Sequence, residues 1–230
     1  MVKPVMLKAF TALALILAGC SADVDTPETP AETTEPVATE SPALESASLP
    51  EIFDCLRANN GTAIAAHRGG PYEFFPENAI ETLQHGYDNG VRIFEIDIAE
   101  SQDGVLFLMH DRTLTRTTTM EGAIAETDWA DIQSASLVDN WGNETDLTIP
   151  TLEDALNWAV TTGAILELDK KPTTSFRNII EAVRAAGAEN NVIMISYNDQ
   201  QAGEIASIAP ELMMTAMAFN SEDIDALLAL

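Results

Sequence analysis

The sequence predicts an α/β fold built on a parallel sheet, and three observations lead to this prediction. Six short apolar runs follow one another from Thr62 onward, and segments with helical spacing of apolar residues separate most of them. Residues inside the runs are almost all apolar, as expected for strands covered on both faces. Polar residues that can carry chemistry stand near the carboxyl ends of the runs. The runs are 62–67, 91–98, 105–109, 164–169, 192–196 and 212–219.

The placement of these polar residues favours a TIM (β/α)8 barrel over a doubly wound sheet. In a TIM barrel, the active site is built at the carboxyl ends of several strands. A doubly wound sheet also fits the alternation, but it usually gathers its ligand at one crevice, often beside a glycine-rich phosphate loop. The sequence contains neither GxGxxG nor a Walker motif.

The length of the chain conflicts with a closed barrel. Eight strands typically occupy about 250 residues, whereas only six strand–helix units follow Thr62. The chain ends in an apolar helical segment, 226–230, without a polar tail. We therefore expect an incomplete barrel of about six units in a C-terminally truncated chain.

Residues 1–19 have the features of an export signal. Lys3 and Lys8 accompany an apolar run that is short for a membrane span. The signal ends in Leu-Ala-Gly-Cys20, which resembles the lipobox of bacterial lipoproteins. This resemblance implies cleavage before Cys20 and lipidation of its thiol, which would anchor the protein to a membrane. An ordinary secretory signal and an uncleaved anchor are the alternatives.

Residues 20–50 are predicted to form a disordered tether. The segment is rich in Pro, Thr and acidic residues and contains no Lys or Arg. Such a composition buries too little apolar surface to fold and favours an extended chain. The barrel domain would then occupy 51–230. We expect the protein in the bacterial cell envelope, on the periplasmic side or at the cell surface.

Net charge limits the possible partners. The chain has 37 acidic and 11 basic side chains and a formal net charge of -26. Nucleic acid and anionic lipid surfaces are therefore excluded as preferred partners. A small ligand that carries phosphate would need a bound cation or a few well-placed basic side chains.

Several short motifs occur in a fixed order within the predicted domain. Each motif alone is weak evidence, but their order resembles the glycerophosphodiester phosphodiesterase family over about Ala65 to Pro172. The resemblance implies a metal-dependent TIM-barrel enzyme that hydrolyses glycerophosphodiesters to glycerol 3-phosphate and an alcohol. The motifs are His67-Arg68-Gly69, Pro76-Glu77-Asn78, Glu95-x-Asp97, Asp103-Gly104, His110-Asp111, Arg116-Thr117-Thr118 and Ile149-Pro150-Thr151-Leu152.

The acidic motif predicts a metal site. Glu95 and Asp97 lie two residues apart on a predicted strand, so both side chains point to one face. Two buried carboxylates need a compensating charge, which a hard divalent cation can supply. Two ordinary solvent-facing acids are the alternative. The resemblance adds Asp169 as third ligand, from Asp169-x-Lys171, with Ca²⁺ or Mg²⁺ as the metal. Glu167-x-Asp169 is the other possible register, and it would put an acid at the lysine position.

Histidine and arginine in these motifs predict acid–base chemistry on a phosphate. His67 and His110 end the first and third predicted strands, and imidazole exchanges protons near neutral pH. The resemblance implies that one removes a proton from the attacking hydroxyl and the other protonates the leaving alcohol, in an order left open. A guanidinium at Arg68 can hold phosphate oxygens in a planar fork, although a structural salt bridge is the alternative.

The remaining motif residues are expected to assist. By resemblance, Lys171 also binds the substrate phosphate. Glu77 and Asn78 are expected to support the site and to cap the helix that follows them.

Two other functions remain open. A related barrel phosphodiesterase that acts on phospholipid would share the fold and the histidine pair, but Glu95-x-Asp97 and Arg116-Thr117-Thr118 favour the first choice. A non-catalytic surface lipoprotein could keep the fold and bind a ligand. The intact histidines and acids argue against that loss of catalysis.

Overall fold

The computed structural model describes residues 47–228. The predicted signal 1–19, Cys20 and nearly all of the predicted tether lie outside these residues. No helix between residues 47 and 228 is long and apolar enough to cross a membrane. The elements are α1 (Leu49–Ala58), β1 (Ala65–Ala66), α2 (Ile80–Asp88), β2 (Ile93–Glu100), β3 (Leu106–Leu108), α3 (Trp129–Ile132), β4 (Ser136–Val138), β5 (Glu144–Thr148), α4 (Leu152–Thr162), β6 (Ile165–Lys170), α5 (Phe176–Ala186), β7 (Val192–Ser196), α6 (Asp199–Ile208), β8 (Met213–Ala216) and α7 (Ser221–Leu228).

Five parallel strands form the main sheet, in the order β1-β2-β6-β7-β8. Helices α2, α4, α5 and α6 alternate with these strands along the chain. Within the described residues, β1 and β8 are the edges, so the sheet does not close there. The structure confirms the predicted α/β architecture as a parallel half-barrel.

The third predicted strand does not continue the parallel order. β3 pairs antiparallel with the end of β2, with Phe107 opposite Ala99. β2 pairs directly with β6 instead. The connection from Glu100 to Leu106 is too short for a crossover, because parallel neighbours need a dozen or more linking residues. The expectation of a sixth parallel strand–helix unit was therefore wrong.

The two faces of the sheet have different compositions. Phe94, Ile96 and Leu166 are fully buried and pack with apolar residues of the helices on one face. Glu95 and Asp97 alternate with the first two of these and so point to the other face. The inner face of the half-barrel therefore carries the acids, while the outer face forms the main core.

Helix α1 covers the amino-terminal end of this inner face. A capping box between Ser48 and Glu51 starts the helix just before the predicted domain start at Glu51. Leu49 is buried in a small apolar cluster with isoleucines at or next to the start of three strands. Those residues are Ile93, Ile165 and Ile193. Helix α1 does not cover the opposite, carboxyl end of the sheet, which is where a functional site can form.

The chain makes an excursion between β3 and α4. It contains α3 and the antiparallel pair β4–β5, and it has its own buried cluster around Phe107, Leu114 and Leu137. This second core fixes the loops that reach the carboxyl end of the main sheet.

Candidate active site

Three carboxylates from two neighbouring strands meet at the carboxyl end of the sheet. Glu95 and Asp97 lie on β2, and Asp169 lies on β6 in register with Asp97. One oxygen of each residue is within 4.8 Å of the others, and all three residues are buried. Carboxylate oxygens are the ligands that Ca²⁺ and Mg²⁺ prefer. The donor set therefore fits a divalent cation.

The acidic cluster (Glu95, Asp97 and Asp169) has more negative than positive charge. Burial and the neighbouring charge of Asp97 raise the pKa of Glu95 to about 7. Lys171 is the ammonium in contact, with Nζ 2.5 Å from Asp97 Oδ1 and 2.6 Å from Asp169 Oδ2. These contacts outweigh burial and raise the pKa of Lys171. One ammonium cannot offset three carboxylates, so an added cation would relieve the remaining repulsion.

Glu167 and Asp169, the two candidates for the third cation ligand, occupy different positions relative to the acidic cluster. Glu167 pairs with Glu95 on the neighbouring strand and is half-buried, and burial raises its pKa. It is not a member of the acidic cluster, whereas Asp169 is. The geometry therefore favours Asp169, and its role as a ligand stays a prediction.

Asn78 supports the acidic cluster rather than a helix end. Its Nδ2 donates to Asp97 Oδ2 at 2.7 Å, and its Oδ1 accepts from the Asp97 backbone N–H at 3.0 Å. Helix α2 begins only at Ile80, with Ala79 as a cap that makes no side-chain hydrogen bond. The expectation that Glu77 and Asn78 cap α2 was therefore wrong. The left-handed φ of 59° at Asn78 turns this segment away from helix and toward β2.

Replacing Asn78 with alanine is expected to weaken cation binding by about 10-fold to 100-fold, because partners that orient metal ligands typically contribute this much. Isothermal titration calorimetry with Ca²⁺ and Mg²⁺ measures the change. Asn60→Ala is the matched control, since Asn60 is exposed and has a similar φ of 52°. Equal affinities for Asn78→Ala and Asn60→Ala would show that the Asn78 amide does not matter.

His67 and Arg68 follow β1 in a short helical turn, His67–Gly69. The His67 side chain is 75% exposed, and its Nε2 lies 3.9 Å from Glu95 Oε2. The Arg68 backbone N–H donates to the same Glu95 oxygen at 2.7 Å. Both residues therefore lie beside the acidic cluster.

The Arg68 side chain is held partly by acids. Its Nη1 donates to Glu77 Oε1 at 3.0 Å, as the salt-bridge alternative expected. Its Nε is buried, lies 3.8 Å from Asp97 Oδ2 and has no hydrogen-bond partner in the described structure. A buried N–H without an acceptor is costly, so a ligand oxygen or water at this position would be stabilising.

His110 faces a pocket beside the acidic cluster. Its Nδ1 lies 2.7 Å from Asp111 Oδ1, which leaves Nε2 as the ring nitrogen available to a ligand. The pocket has a volume of about 460 Å³. It is lined by His110, Asp111, Arg112, Thr113, Lys171 and Pro172. Lys171 thus connects the pocket of His110 to the acidic cluster.

Comparison with known proteins decides the family. The model of the glycerophosphoryl diester phosphodiesterase family matches residues 67–213, which is more than half of the chain. The chain belongs to this family. The family is metal-dependent, and the acidic cluster could bind that metal. The resemblance inferred from the motifs is confirmed.

Individual relatives of the glycerophosphoryl diester phosphodiesterase family agree. A crystal structure of a glycerophosphoryl diester phosphodiesterase from Parabacteroides distasonis ATCC 8503 has 31% identity and a TM-score of 0.68, covering 73% of this chain and 58% of that chain. The uncharacterized protein YqiK of Bacillus subtilis (strain 168), whose name indicates no activity, is 29% identical over 157 residues, 66% of this chain and 64% of its own. A glycerophosphodiester phosphodiesterase of Caldanaerobacter subterraneus subsp. tengcongensis is 26% identical, with the same coverages of 66% and 64%. The chain thus spans about three fifths of the length of these relatives.

Three further residues contact the site, although none of them was assigned a role from the sequence. Tyr197 donates its hydroxyl to Asp169 Oδ2 at 2.8 Å, and burial together with this contact raises the pKa of Tyr197. It directly follows β7, where a barrel places site residues, so the strand end was a usable signal. Ser196, the last residue of β7, instead donates its hydroxyl to the Thr215 carbonyl.

The other two residues without an assigned role, Arg116 and Asn140, lie in the excursion between β3 and α4. Arg116 donates to both Glu77 and Asp111, and Asn140 Nδ2 donates to Glu77 Oε2 at 3.1 Å. Arg116 was visible as part of a motif. Nothing in the sequence indicated Asn140, because its contact depends on how the excursion folds back.

Proposed function

We propose that this protein hydrolyses glycerophosphodiesters to glycerol 3-phosphate and an alcohol. The observation that carries the proposal is the acidic cluster, with its three carboxylates within 4.8 Å, next to a pocket lined by His110 and Lys171. Family membership supports the same reaction.

The proposed cofactor is Ca²⁺ or Mg²⁺, held by Glu95, Asp97 and Asp169. All three ligands are carboxylates, which suits hard cations better than soft ones. When bound, the cation would supply positive charge that polarises a phosphate oxygen. The excess negative charge of the cluster supports this assignment.

Arg68 and Lys171 are proposed to hold the phosphate. The unpaired Arg68 Nε needs an oxygen acceptor, and Lys171 both lines the pocket and contacts two carboxylates. Fixed positive groups at this point offset charge that develops on phosphate during substitution. The strongly acidic chain makes such local basic groups necessary for phosphate binding.

His67 and His110 are proposed to move the protons. His110 is oriented through Nδ1 by Asp111, so Nε2 can exchange a proton with a group in the pocket. His67 lies beside Glu95, with its Nε2 3.9 Å from Glu95 Oε2. One imidazole removes the proton of the glycerol hydroxyl that attacks phosphorus, and the other donates a proton to the leaving alcohol as its P–O bond breaks. Water then opens the resulting cyclic phosphodiester to give glycerol 3-phosphate.

A substrate panel tests the proposal. Purified protein is assayed with glycerophosphocholine, with a whole phospholipid and without substrate, in Ca²⁺, Mg²⁺ or chelator. We expect glycerol 3-phosphate to be released from glycerophosphocholine only in the presence of a cation. Turnover of phospholipid alone would favour the related phosphodiesterase, and no turnover under any condition would favour a binding protein.

We further propose that residues 1–19 are a lipoprotein signal, that 20–50 form the tether and that the protein is located in the cell envelope. Replacing Cys20 with serine is then expected to move the protein from the membrane fraction to the soluble fraction, because the lipid-bearing thiol is lost. Fractionation after a salt wash and immunoblotting measure the shift. The parent protein, which retains Cys20, is the control and should still pellet after the same wash. Membrane pelleting of the Cys20 variant would contradict the anchor.

A further inference from the structure

We propose that Arg116 is a positioning residue that holds the phosphate-binding Arg68 and the acid–base residue His110 in fixed relation. It acts through two carboxylates, Glu77 and Asp111. The inference rests on the proposed function and adds to it a residue whose side-chain hydrogen bonds go to Glu77 and Asp111 and not to the predicted cation ligands.

Four hydrogen bonds make the Arg116 guanidinium a double clamp. Towards Asp111, Nε donates to Oδ2 at 2.7 Å and Nη2 donates to Oδ1 at 3.0 Å. Towards Glu77, Nη1 donates to Oε2 at 3.0 Å and Nη2 donates to Oε1 at 2.7 Å. A guanidinium has five N–H donors in a rigid plane, so these bonds leave little capacity for a substrate. The side chain therefore positions its neighbours instead of binding phosphate itself.

The Glu77 side of the clamp controls the charge around Arg68. The Glu77 side chain is only 2% exposed, and it also accepts from Arg68 and Asn140. Burial alone would raise the pKa of Glu77, but bonds and charge from Arg116 and Arg68 outweigh it and lower the pKa. The guanidinium groups of Arg68 and Arg116 share the single negative charge of Glu77. The positive charge of Arg68 is therefore only partly offset, and the remainder can attract a phosphate. Without Arg116, Glu77 would neutralise Arg68 alone.

The Asp111 side of the clamp controls the orientation of His110. Asp111 Oδ1 lies 2.7 Å from His110 Nδ1 and also accepts from Arg116. The hydrogen bond from Arg116 is the largest cause that lowers the pKa of Asp111 to about 2. A carboxylate fixed on both oxygens keeps the imidazole plane fixed, with Nε2 towards the pocket.

Steady-state kinetics of Arg116→Gln test the clamp. We expect kcat to fall and KM to rise, each by about 10-fold or more, since partners of catalytic groups commonly contribute this much. Asp111→Asn removes only one side and should lower kcat with little change in KM. Arg116→Lys keeps the charge but cannot form both forks. Compared with Arg116→Gln, its KM should be closer to that of the parent, while its kcat should stay nearly as low. A residue that only stabilises the fold would not produce this division.

Arg184→Gln is the matched control. The Arg184 side chain is 40% exposed, against 43% for Arg116, and it also forks onto a carboxylate, Glu211, away from the site. Its kinetics should match those of the parent protein. Arg116→Gln within twofold of the parent would overturn the proposal, and so would equal effects in Arg184→Gln. If Arg116→Gln does not fold, the comparison of Arg116→Lys with Asp111→Asn decides.

A measurement without turnover separates this inference from the proposed function. Nitrogen-15 NMR of the His110 ring should show the proton on Nδ1 in the parent and a mixture of tautomers in Arg116→Gln. Unchanged ring signals would overturn the clamp whether or not the parent cleaves glycerophosphodiesters. A parent protein without activity, but with altered ring signals in the variant, would refute the reaction and keep the clamp.

Discussion

Replacing His110 or His67 with alanine is expected to lower the rate of glycerophosphodiester hydrolysis by about 100-fold or more, the usual scale of general acid–base catalysis. His110 presents Nε2 to the pocket because Asp111 engages Nδ1, and His67 lies beside Glu95. Each imidazole would serve a different proton, so losing either leaves one transfer to water. The double variant should therefore be slower than either single variant, because both proton transfers are then left to water.

His85→Ala is the control for both variants, since the chain contains three histidines. His85 stacks on Phe75 with ring centroids 4.4 Å apart and has no place in the proposed chemistry. Initial rates with glycerophosphocholine at saturating cation give the comparison. A His67 or His110 variant that keeps more than half of the parent rate would rule out its catalytic role.

Asp169→Asn is expected to weaken Ca²⁺ or Mg²⁺ binding by about 100-fold or more and to abolish hydrolysis at low cation concentrations, because a ligand charge is lost outright. Asp169 also holds Lys171 and Tyr197, so its replacement releases two neighbours of the acidic cluster. Calorimetry measures the affinity, and chelation of the parent followed by addition of cation should reproduce the loss and its recovery.

Glu167→Gln separates the two registers. Glu167 faces the same side of the sheet but lies outside the acidic cluster, so its variant should bind the cation nearly as well as the parent. Strong loss in Glu167→Gln with normal binding in Asp169→Asn would reverse the ligand assignment. Full activity of a metal-free parent would refute metal dependence altogether.

The features that could be predicted from the sequence follow from short-range periodicity. Alternation along β2 put Glu95 and Asp97 on one face, and the same period-2 pattern put Phe94 and Ile96 in the core. Apolar runs also located every strand of the main sheet. The direction of β3 was missed, although the few residues between Glu100 and Leu106 already excluded a parallel crossover.

What could not be predicted depends on long-range contacts of polar side chains. Asn78 was expected at a helix end, but its left-handed backbone brings its amide to Asp97 instead. Asn140 reaches Glu77 only because the excursion folds over the carboxyl end of the sheet. No local pattern records such contacts, since each partner alone has the composition of an ordinary loop.

The antiparallel β3 has a consequence for the order of folding. The Met109 backbone N–H donates to the Asp97 carbonyl at 2.9 Å, at the end of the β2–β3 hairpin, and so His110 is placed one residue beyond a bond to a predicted cation ligand. Closing a short loop costs little chain entropy, and hairpins form within about microseconds. Asp169 joins only when β6 pairs with β2. The segment that connects these two strands is much longer, and contacts between residues far apart in sequence form more slowly than local ones. We therefore expect His110 and two of the predicted cation ligands, Glu95 and Asp97, to come together in a local, early-forming unit, and Asp169 to complete the acidic cluster later.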